Sequence, residues 1–241
     1  MQHGNTNLRP GLTTIPFWTD NINNLPNIIQ KNVFQKYINT LGLSVWKDIS
    51  HEIITNIKAS NKLWVPSDNL YFRDLYNLTT SDDDTNQIKA QWKQIHLRNG
   101  TDNTENQKKK KKVSSACKRL PLLCSIINKI IKKSKGIILN DAKISSLWCK
   151  KCEIIPHCGV TNNRLRIMIP ILIPNDATFE LYVGGEKKLM DDSSIGKPLV
   201  FDDSIEHTVK YENGGGESGG KNAVVLPRLV LLMNMKHPDM L

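Results

Sequence analysis

Two hydrophobic periods divide the chain, a helical one first and a strand-like one after it. In residues 27–41 the apolar side chains recur every three or four positions, which predicts an amphipathic helix. Ser44 is a candidate N-cap for a second helix, whose apolar positions continue as far as Ile57. A third helix is predicted over residues 122–131, because two lysines and then Gly136 follow it, as is typical of a helix C-terminus.

The second half of the chain alternates apolar and polar residues in short runs that end at turn residues. The clearest run is residues 164–173, where leucine or isoleucine occupies every second position. Further short strands are predicted over residues 178–183, 199–201, 208–211 and 228–235. Short strands in this number indicate a sandwich, a jelly roll or a small barrel. We therefore expect one α+β domain, with a mainly helical part over residues 1–136 packed against a β-rich core over residues 137–241.

The chain carries a formal net charge of +10, and half of it comes from five consecutive lysines, Lys108–Lys112. They lie in a polar stretch near residues 99–113, and such runs are typical of solvated, disordered loops. A docking site for an anionic partner is the alternative. Because no aromatic residues interleave with the lysines and no nucleic-acid-binding module is recognisable, we expect no nucleic-acid partner.

The sequence gives no sign of a membrane segment or a leader. No stretch reaches the roughly 18 to 20 continuous apolar residues that a membrane span needs, so none is expected in this chain. Residues 1–5 are polar and lack the apolar core of a signal peptide. If the protein is secretory, its targeting segment lies outside this chain or takes another form.

Two histidines flank predicted strands and could share a metal ion. His157 precedes the run at 164–173, and His207 follows the run at 199–201. Non-haem iron oxygenases bind iron through two histidines and a carboxylate. The carboxylate would be expected two residues after the first histidine, where this chain has Gly159. The residues alone therefore indicate a two-histidine site only weakly, and each histidine is also compatible with an ordinary hydrogen-bonded surface residue.

Three of the five cysteines lie close together in the sequence, and they are compatible with a zinc site, a redox pair or a surface turn. Cys149 and Cys152 have C-x₂-C spacing and are followed by His157 and Cys158, which is compatible with a zinc site or a redox pair. A structural zinc site normally has a second ligand pair at matching spacing, and only the adjacent His157 and Cys158 are available here. Otherwise these cysteines lie in a surface turn, where Cys149 and Cys152 could be paired with each other.

Three segments resemble the motifs of one enzyme family and occur in the same order. Residues 156–166, PHCGVTNNRLR, are similar to P-H-x-G-x-T-N-x-R-L-R, and residues 196–207, GKPLVFDDSIEH, are similar to G-K-x-L-x-F-D-D-S-x-E-H. Residues 228–231 and 237–239 match a closing R-[LV]-[IV]-x and H-P-[ED]. These are motifs of the aspartyl/asparaginyl β-hydroxylases.

The resemblance extends into the N-terminal part and so covers nearly the whole chain. PGL at residues 10–12 and PFW at residues 16–18 are similar to the family's opening G-L-x-x-x-P-[FW]-W. Residues 116–124, ACKRLPLLC, resemble the A-C-K-x-x-P-x-x-C of the animal enzymes, whose two cysteines form a disulfide. A Cys117–Cys124 disulfide is therefore implied.

The resemblance implies a double-stranded β-helix (jelly-roll, cupin-like) core and a dioxygenase activity. Members use Fe(II), 2-oxoglutarate and O₂, and release succinate and CO₂. The animal enzymes hydroxylate the β-carbon of Asp or Asn in EGF-like domains within the secretory pathway, so a protein or peptide substrate is implied. Localisation in the endoplasmic reticulum lumen is then expected, with the cytoplasm as the alternative.

The resemblance also assigns roles to individual residues. Iron is held by two histidines without a carboxylate, which implies His157 and His207 as the ligands and agrees with Gly159. Arg228 would bind the distal carboxylate of 2-oxoglutarate, and Arg166 would contact the co-substrate nearer the metal. Trp92 would line the pocket. A serine assists, and the candidates are Ser145 and Ser146.

Two departures from the family pattern affect these expectations. The segment 148–152 replaces the family's Pro-Gly turn, which leaves the choice between the two serines open. Met168 stands where animal members carry a histidine near the co-substrate. A member that has lost turnover and acts as a binding protein is therefore an alternative to the enzyme.

Overall fold

The computed structural model describes residues 8–18, 41–59, 63–67, 69–75, 90–98, 115–214 and 226–241, with the side chains of 57–59 left out. Residues 27–40 of the first predicted helix and the lysine-rich stretch near 99–113 lie outside the described residues.

Three helices lie in the described N-terminal half. Helix α1 spans Leu43–Ala59, α2 spans Ser115–Arg119 and α3 spans Pro121–Lys133. The second and third predicted helices are thereby confirmed as α1 and α3, although α1 begins at Leu43, so Ser44 lies inside the helix and is not its N-cap. None of the helices in the described part of the chain is both long and apolar enough to cross a bilayer.

The start of α3 is stabilised by a side chain from another helix. No side chain of the residue before it caps this helix. Instead the Glu52 carboxylate of α1 accepts hydrogen bonds from the backbone N–H groups of Leu122 and Leu123, at 2.9 and 3.2 Å. These groups have no partner within the helix, so Glu52 satisfies them and places a negative charge at the positive end of the helix dipole.

The structure describes eleven strands, and all of their pairings are antiparallel. They are β1 (Val65–Pro66), β2 (Phe72–Asp74), β3 (Gln91–Arg98), β4 (Ile138–Trp148), β5 (Lys151–His157), β6 (Arg164–Leu172), β7 (Ala177–Val183), β8 (Glu186–Met190), β9 (Leu199–Phe201), β10 (His207–Asn213) and β11 (Arg228–Lys236). The strands form a six-stranded sheet in the order β1-β3-β4-β11-β6-β9 and a five-stranded sheet in the order β2-β5-β10-β7-β8.

The six-stranded sheet has a hydrophobic core on each face. On β11, Leu229 and Leu231 pack with the helices, whereas Val230 packs with residues of the five-stranded sheet, including Phe179 and Leu181. This alternation is expected of a strand that is buried on both faces. The molecule is therefore a mixed helix and antiparallel-sheet fold with helices, six strands and five strands in successive layers.

The structure extends the predicted strands and adds others. The N-terminal part, expected to be mainly helical, also contributes β1, β2 and β3. Strand β5 was not predicted, because Pro156 lies within it and proline normally excludes a residue from a paired strand. His157 ends β5 and His207 begins β10, so both histidines are strand residues.

The cysteines form two disulfides. Cys117 is bonded to Cys124, which joins α2 to α3 and confirms the pairing implied by the family resemblance. Cys149 is bonded to Cys152 across the turn between β4 and β5. Because this disulfide consumes both thiols, the pair is not available as zinc thiolate ligands in this state. Cys158 is free and exposed.

Candidate active site

A bulge in β5 places the two histidines side by side. Cys152 and Ile154 of β5 face the space between the sheets, so strict alternation would next place Pro156 there. The register shifts by one residue between Ile154 and His157, which lie opposite Val209 and His207. The bulge therefore turns His157 onto the same face as His207, and their ring centroids are 4.2 Å apart.

Both rings are fixed in the same way. His157 Nδ1 lies 2.8 Å from the carbonyl oxygen of Ile155, and His207 Nδ1 lies 2.9 Å from that of Ile205. Because a carbonyl can only accept, each Nδ1 carries the proton and each Nε2 keeps its lone pair. In metal-binding histidines, a hydrogen bond of this kind at the nitrogen that does not bind the metal fixes the orientation of the ring.

The electrostatic environment keeps both imidazoles neutral. Burial, followed by the neighbouring His157, lowers the pKa of His207 to about 4. Burial also lowers the pKa of His157. Neutral imidazole is the form that binds a metal ion, so the pair is ready to bind one near neutral pH.

Close packing excludes a side chain at the position where a third ligand would be expected. The Gly159 N–H donates to the Asp203 carbonyl oxygen at 2.5 Å. A Cβ at Gly159 would lie 2.8 Å from Asp203 Cγ, which is closer than real Cβ atoms approach. Within the described residues, no group of three or more His, Cys, Asp or Glu side chains could hold a metal ion together.

Asp203 is a buried carboxylate beside the histidines. Arg166 donates to its Oδ2 from Nε at 3.1 Å and from Nη2 at 2.5 Å. Burial alone would raise the pKa of Asp203, but Arg166 and Arg164 together hold it below its usual value. Its Oδ1 is buried and has no hydrogen-bond partner among the described residues. The sequence predicted Arg166 as a co-substrate contact, and the structure pairs it with Asp203.

The two candidate serines lie on opposite faces of β4. Trp92 donates from Nε1 to Ser145 Oγ at 3.0 Å, and Trp92 packs with the residues between the two sheets. Ser146 donates to the Lys93 carbonyl oxygen and accepts from Trp148 Nε1, both at 3.1 Å. Ser145 and Trp92 are thus brought together, whereas Ser146 is engaged elsewhere.

Arg228 is a buried cation without an acidic partner in the described part of the chain. It is 1% exposed, and its Nε and Nη1 have no hydrogen-bond partner there. Its guanidinium stacks on the Phe179 ring of the opposite sheet at 4.1 Å. Burial lowers its pKa to about 9, so it remains charged at neutral pH. Leaving a buried charge unpaired costs several kcal/mol, so this position is suited to binding an anion.

Two further polar residues face the same space and were missed by sequence reasoning. Lys143 donates from Nζ to Gln94 Oε1 at 3.2 Å, and burial, followed by Arg166, lowers its pKa to about 8. It precedes Ser145 by two residues and so lies on the same face of β4, a strand that was not among those predicted. Tyr211 is fully buried, and its hydroxyl has no partner among the described residues.

Taken together, these residues fit a metal ion and an anion. Two neutral imidazoles that carry the proton on Nδ1 have lone pairs on Nε2, and these are suitable ligands for a first-row transition metal such as Fe(II). Arg228 offers unpaired donors in the same inter-sheet space. Met168 also lies there, buried among the apolar residues of both sheets.

Comparison with known proteins finds a family profile and relatives that match most of this chain. The profile of the family described as aspartyl/asparaginyl β-hydroxylase matches residues 45–238. The aspartyl/asparaginyl β-hydroxylases of Homo sapiens and Mus musculus are each 24% identical over 230 residues. The match covers 95% of this chain but 24% of each relative, so the chain spans about a quarter of their length.

Solved structures with partial likeness include a hydroxylase and an oxygenase. A prolyl-4-hydroxylase from Pseudomonas putida shares 9% identity with a TM-score of 0.39, over 79% of this chain and 86% of that one. An oxidoreductase of the 2OG-Fe(II) oxygenase family from Burkholderia pseudomallei shares 13% identity with a TM-score of 0.36, over 61% and 69%. TM-scores this low do not by themselves establish a shared fold. The family profile, in contrast, covers most of the sequence, and the chain therefore belongs to the aspartyl/asparaginyl β-hydroxylase family.

Proposed function

We propose that the chain is an Fe(II)- and 2-oxoglutarate-dependent dioxygenase that hydroxylates the β-carbon of Asp or Asn residues in a protein or peptide. The observation that carries the proposal is buried Arg228, whose Nε and Nη1 have no partner among the described residues. It shares the inter-sheet space with two histidines whose Nδ1 atoms are held by carbonyl oxygens, which leaves the Nε2 lone pairs for a metal ion. A dicarboxylate bound to a metal at one end requires a fixed cation at the other end. A planar guanidinium suits a carboxylate because it can donate two parallel hydrogen bonds.

In this proposal, strands β4 to β11 would form a double-stranded β-helix. Four of these strands are ordered β4-β11-β6-β9 in one sheet and the other four β5-β10-β7-β8 in the other. Eight antiparallel strands in two facing sheets are what a jelly roll requires. Sites in such folds lie between the sheets, where the histidines and Arg228 are found.

Each site residue has a role in this proposal. His157 and His207 would hold Fe(II), and Arg228 would bind the distal carboxylate of 2-oxoglutarate. Of the two candidate serines, Ser145 would assist Arg228, because it shares a face with Trp92, which lines the pocket. Arg166, oriented by Asp203, would contact the co-substrate nearer the metal.

The protein's part in the chemistry is to bind, orient and exclude water. When bound, Fe(II) would supply the activation of O₂ and the oxidative decarboxylation of 2-oxoglutarate to succinate and CO₂. The carbonyl bonds at Nδ1 hold both imidazoles in the metal-binding tautomer. The apolar lining, including Met168 and Phe179, keeps the reacting centre dry.

The substrate and compartment follow from the same proposal. Two disulfides are typical of a protein made in an oxidising compartment, which favours the secretory pathway. Disulfide-bonded EGF-like domains are the first substrates to test. Recovery of the protein in the cytosol with four free thiols at these positions would contradict the compartment.

The test is a turnover assay on a disulfide-bonded EGF-like peptide with Fe(II), 2-oxoglutarate and O₂. We expect succinate to form and one Asp or Asn of the peptide to gain one oxygen atom, located on its β-carbon by tandem mass spectrometry. His207→Ala should abolish both signals, whereas His51→Ala, at an exposed position of α1, should change neither. Binding of Fe(II) and 2-oxoglutarate without turnover on any peptide would instead favour a binding protein.

A further inference from the structure

A phenol, a benzyl ring and a guanidinium meet at the inner end of the inter-sheet space. Tyr211 of β10 lies directly opposite Phe179 of β7 in the antiparallel register. Cross-strand partners of this kind have Cβ atoms about 4.5 to 5.5 Å apart. Arg228 reaches across from the six-stranded sheet and stacks on the Phe179 ring at 4.1 Å. Tyr211 and Arg228 also perturb each other's pKa, so the two polar groups are near neighbours.

Both polar groups in this cluster are buried without partners. Tyr211 and Arg228 are each 1% exposed. The Tyr211 hydroxyl and the Arg228 Nε and Nη1 are without hydrogen-bond partners in the part of the chain that the structure describes. Buried polar atoms are nearly always paired, and each unpaired one destabilises the fold. Two such side chains beside each other point to one shared ligand that has more than one acceptor atom.

We propose that the Tyr211 hydroxyl donates a hydrogen bond to the distal carboxylate of 2-oxoglutarate, alongside Arg228, and so selects dicarboxylate over monocarboxylate 2-oxo acids. This inference rests on the proposed function and assigns a further residue to its co-substrate site. Tyr211 lies outside the segments that resemble family motifs.

The chemistry of the three side chains favours a carboxylate. Its two oxygens can accept from the guanidinium and the phenol at once, so a single ligand group would pair both buried side chains. Burial raises the pKa of Tyr211 to about 12, so the hydroxyl remains a donor at neutral pH. Phe179 covers one face of the guanidinium and leaves the edge, where the N–H groups lie, for the ligand.

The test compares two ligands of equal length on the Mn(II)-loaded full chain, with binding measured by calorimetry. 2-Oxoglutarate has the distal carboxylate, and 2-oxopentanoate has a methyl group in its place. Hydrogen bonds to charged groups contribute roughly 1.5 to 3 kcal/mol, so Tyr211→Phe should weaken 2-oxoglutarate binding about 10- to 100-fold. Binding of 2-oxopentanoate should change less than about twofold, since it cannot accept this bond.

A matched control and a stability measurement separate binding from folding. Tyr182→Phe removes a phenol on the other face of β7, where the hydroxyl donates to Glu180 at 2.7 Å, and should alter neither affinity. The ligand-free Tyr211→Phe protein should melt at the same temperature as the parent or higher, because the change removes a buried, unpaired hydroxyl. A merely structural role for Tyr211 predicts a lower melting temperature instead.

The outcomes are distinguishable. If the parent chain binds 2-oxoglutarate and Tyr211→Phe binds it equally well, the role of Tyr211 is wrong and the proposed function stands. Equal weakening of both ligands would mean a distorted pocket and would also overturn the inference. If the parent chain does not bind 2-oxoglutarate, the proposed function fails and this inference fails with it.

Discussion

The position two residues after His157 shows how a missing side chain shapes the site. Gly159 packs against Asp203 through a backbone hydrogen bond, with no room for a Cβ. Asp203 lies four residues before His207, so a displacement here would be transmitted to the second histidine. The two-histidine site is therefore a consequence of packing as well as of residue choice.

We predict that Gly159→Ala lowers the free energy of unfolding by about 1 to 3 kcal/mol and weakens metal binding, because the added methyl group must displace Asp203. Urea denaturation and metal titration measure the two effects. Gly42→Ala is the matched control, since its Cβ would meet only Ser44 Oγ at 3.7 Å. Unchanged metal affinity in a stable Gly159→Ala protein would contradict this account.

Some residue roles could be read from the sequence and others could not. His157, His207 and Arg228 lie in recognisable motifs, and the structure gathers them between the two sheets. The choice between Ser145 and Ser146 required the alternation of β4, a strand that was not among those predicted. Tyr211 could not be found, because its proposed role rests on a hydroxyl that is buried without a partner among the described residues.

At the scale of elements, one carboxylate connects two helices of the helical layer. Glu52 of α1 satisfies two backbone N–H groups at the start of α3. This contact spans 70 residues of sequence. A cap of this kind cannot be predicted locally, and the sequence accordingly placed the helix correctly without identifying what caps it.

We predict that Glu52→Ala lowers the free energy of unfolding by about 1 to 2 kcal/mol, because it leaves helix N–H groups without a charged acceptor. Chemical denaturation followed by circular dichroism measures this loss. Asp48→Ala, at an exposed position of the same helix, should cost less than about 0.5 kcal/mol. Equal effects of the two substitutions would show that Glu52 does not act as a cap.

The Cys117–Cys124 disulfide is a second constraint on this layer. We predict that replacing both cysteines by alanine lowers the free energy of unfolding by about 2 to 3 kcal/mol, because the bond restricts the unfolded chain. The loop that it closes is short, which keeps the effect at this size. Guanidinium unfolding under non-reducing conditions measures the difference. Cys158→Ala, at the free and exposed cysteine, should have almost no effect. A double variant as stable as the parent would contradict a stabilising role.

The strands show where pattern reasoning succeeds and where it stops. Strand β6 was predicted almost to its ends, because Leu165, Ile167 and Ile169 alternate without interruption. Strand β5 was missed because Pro156 interrupts it. The bulge accommodates that proline and turns His157 toward His207. The segment in which the strand was missed is thus the one that brings the two histidines together.

At the scale of the whole molecule, the site depends on both sheets. The five-stranded sheet supplies His157 and His207, and the six-stranded sheet supplies Trp92, Ser145 and Arg228. A ligand that binds both groups would connect the two sheets. Neither sheet holds a complete site, which explains why the site residues are spread over more than half of the chain.

In the proposed site, the two histidines would hold Fe(II) and Arg228 would hold the far end of 2-oxoglutarate. The most direct test is anaerobic titration of the protein with Fe(II) and 2-oxoglutarate, followed by visible absorption. We predict a metal-to-ligand charge-transfer band that is lost in His157→Ala and His207→Ala, is weakened in Arg228→Ala and persists in His51→Ala. Absence of the band in folded, iron-loaded parent protein would contradict the account.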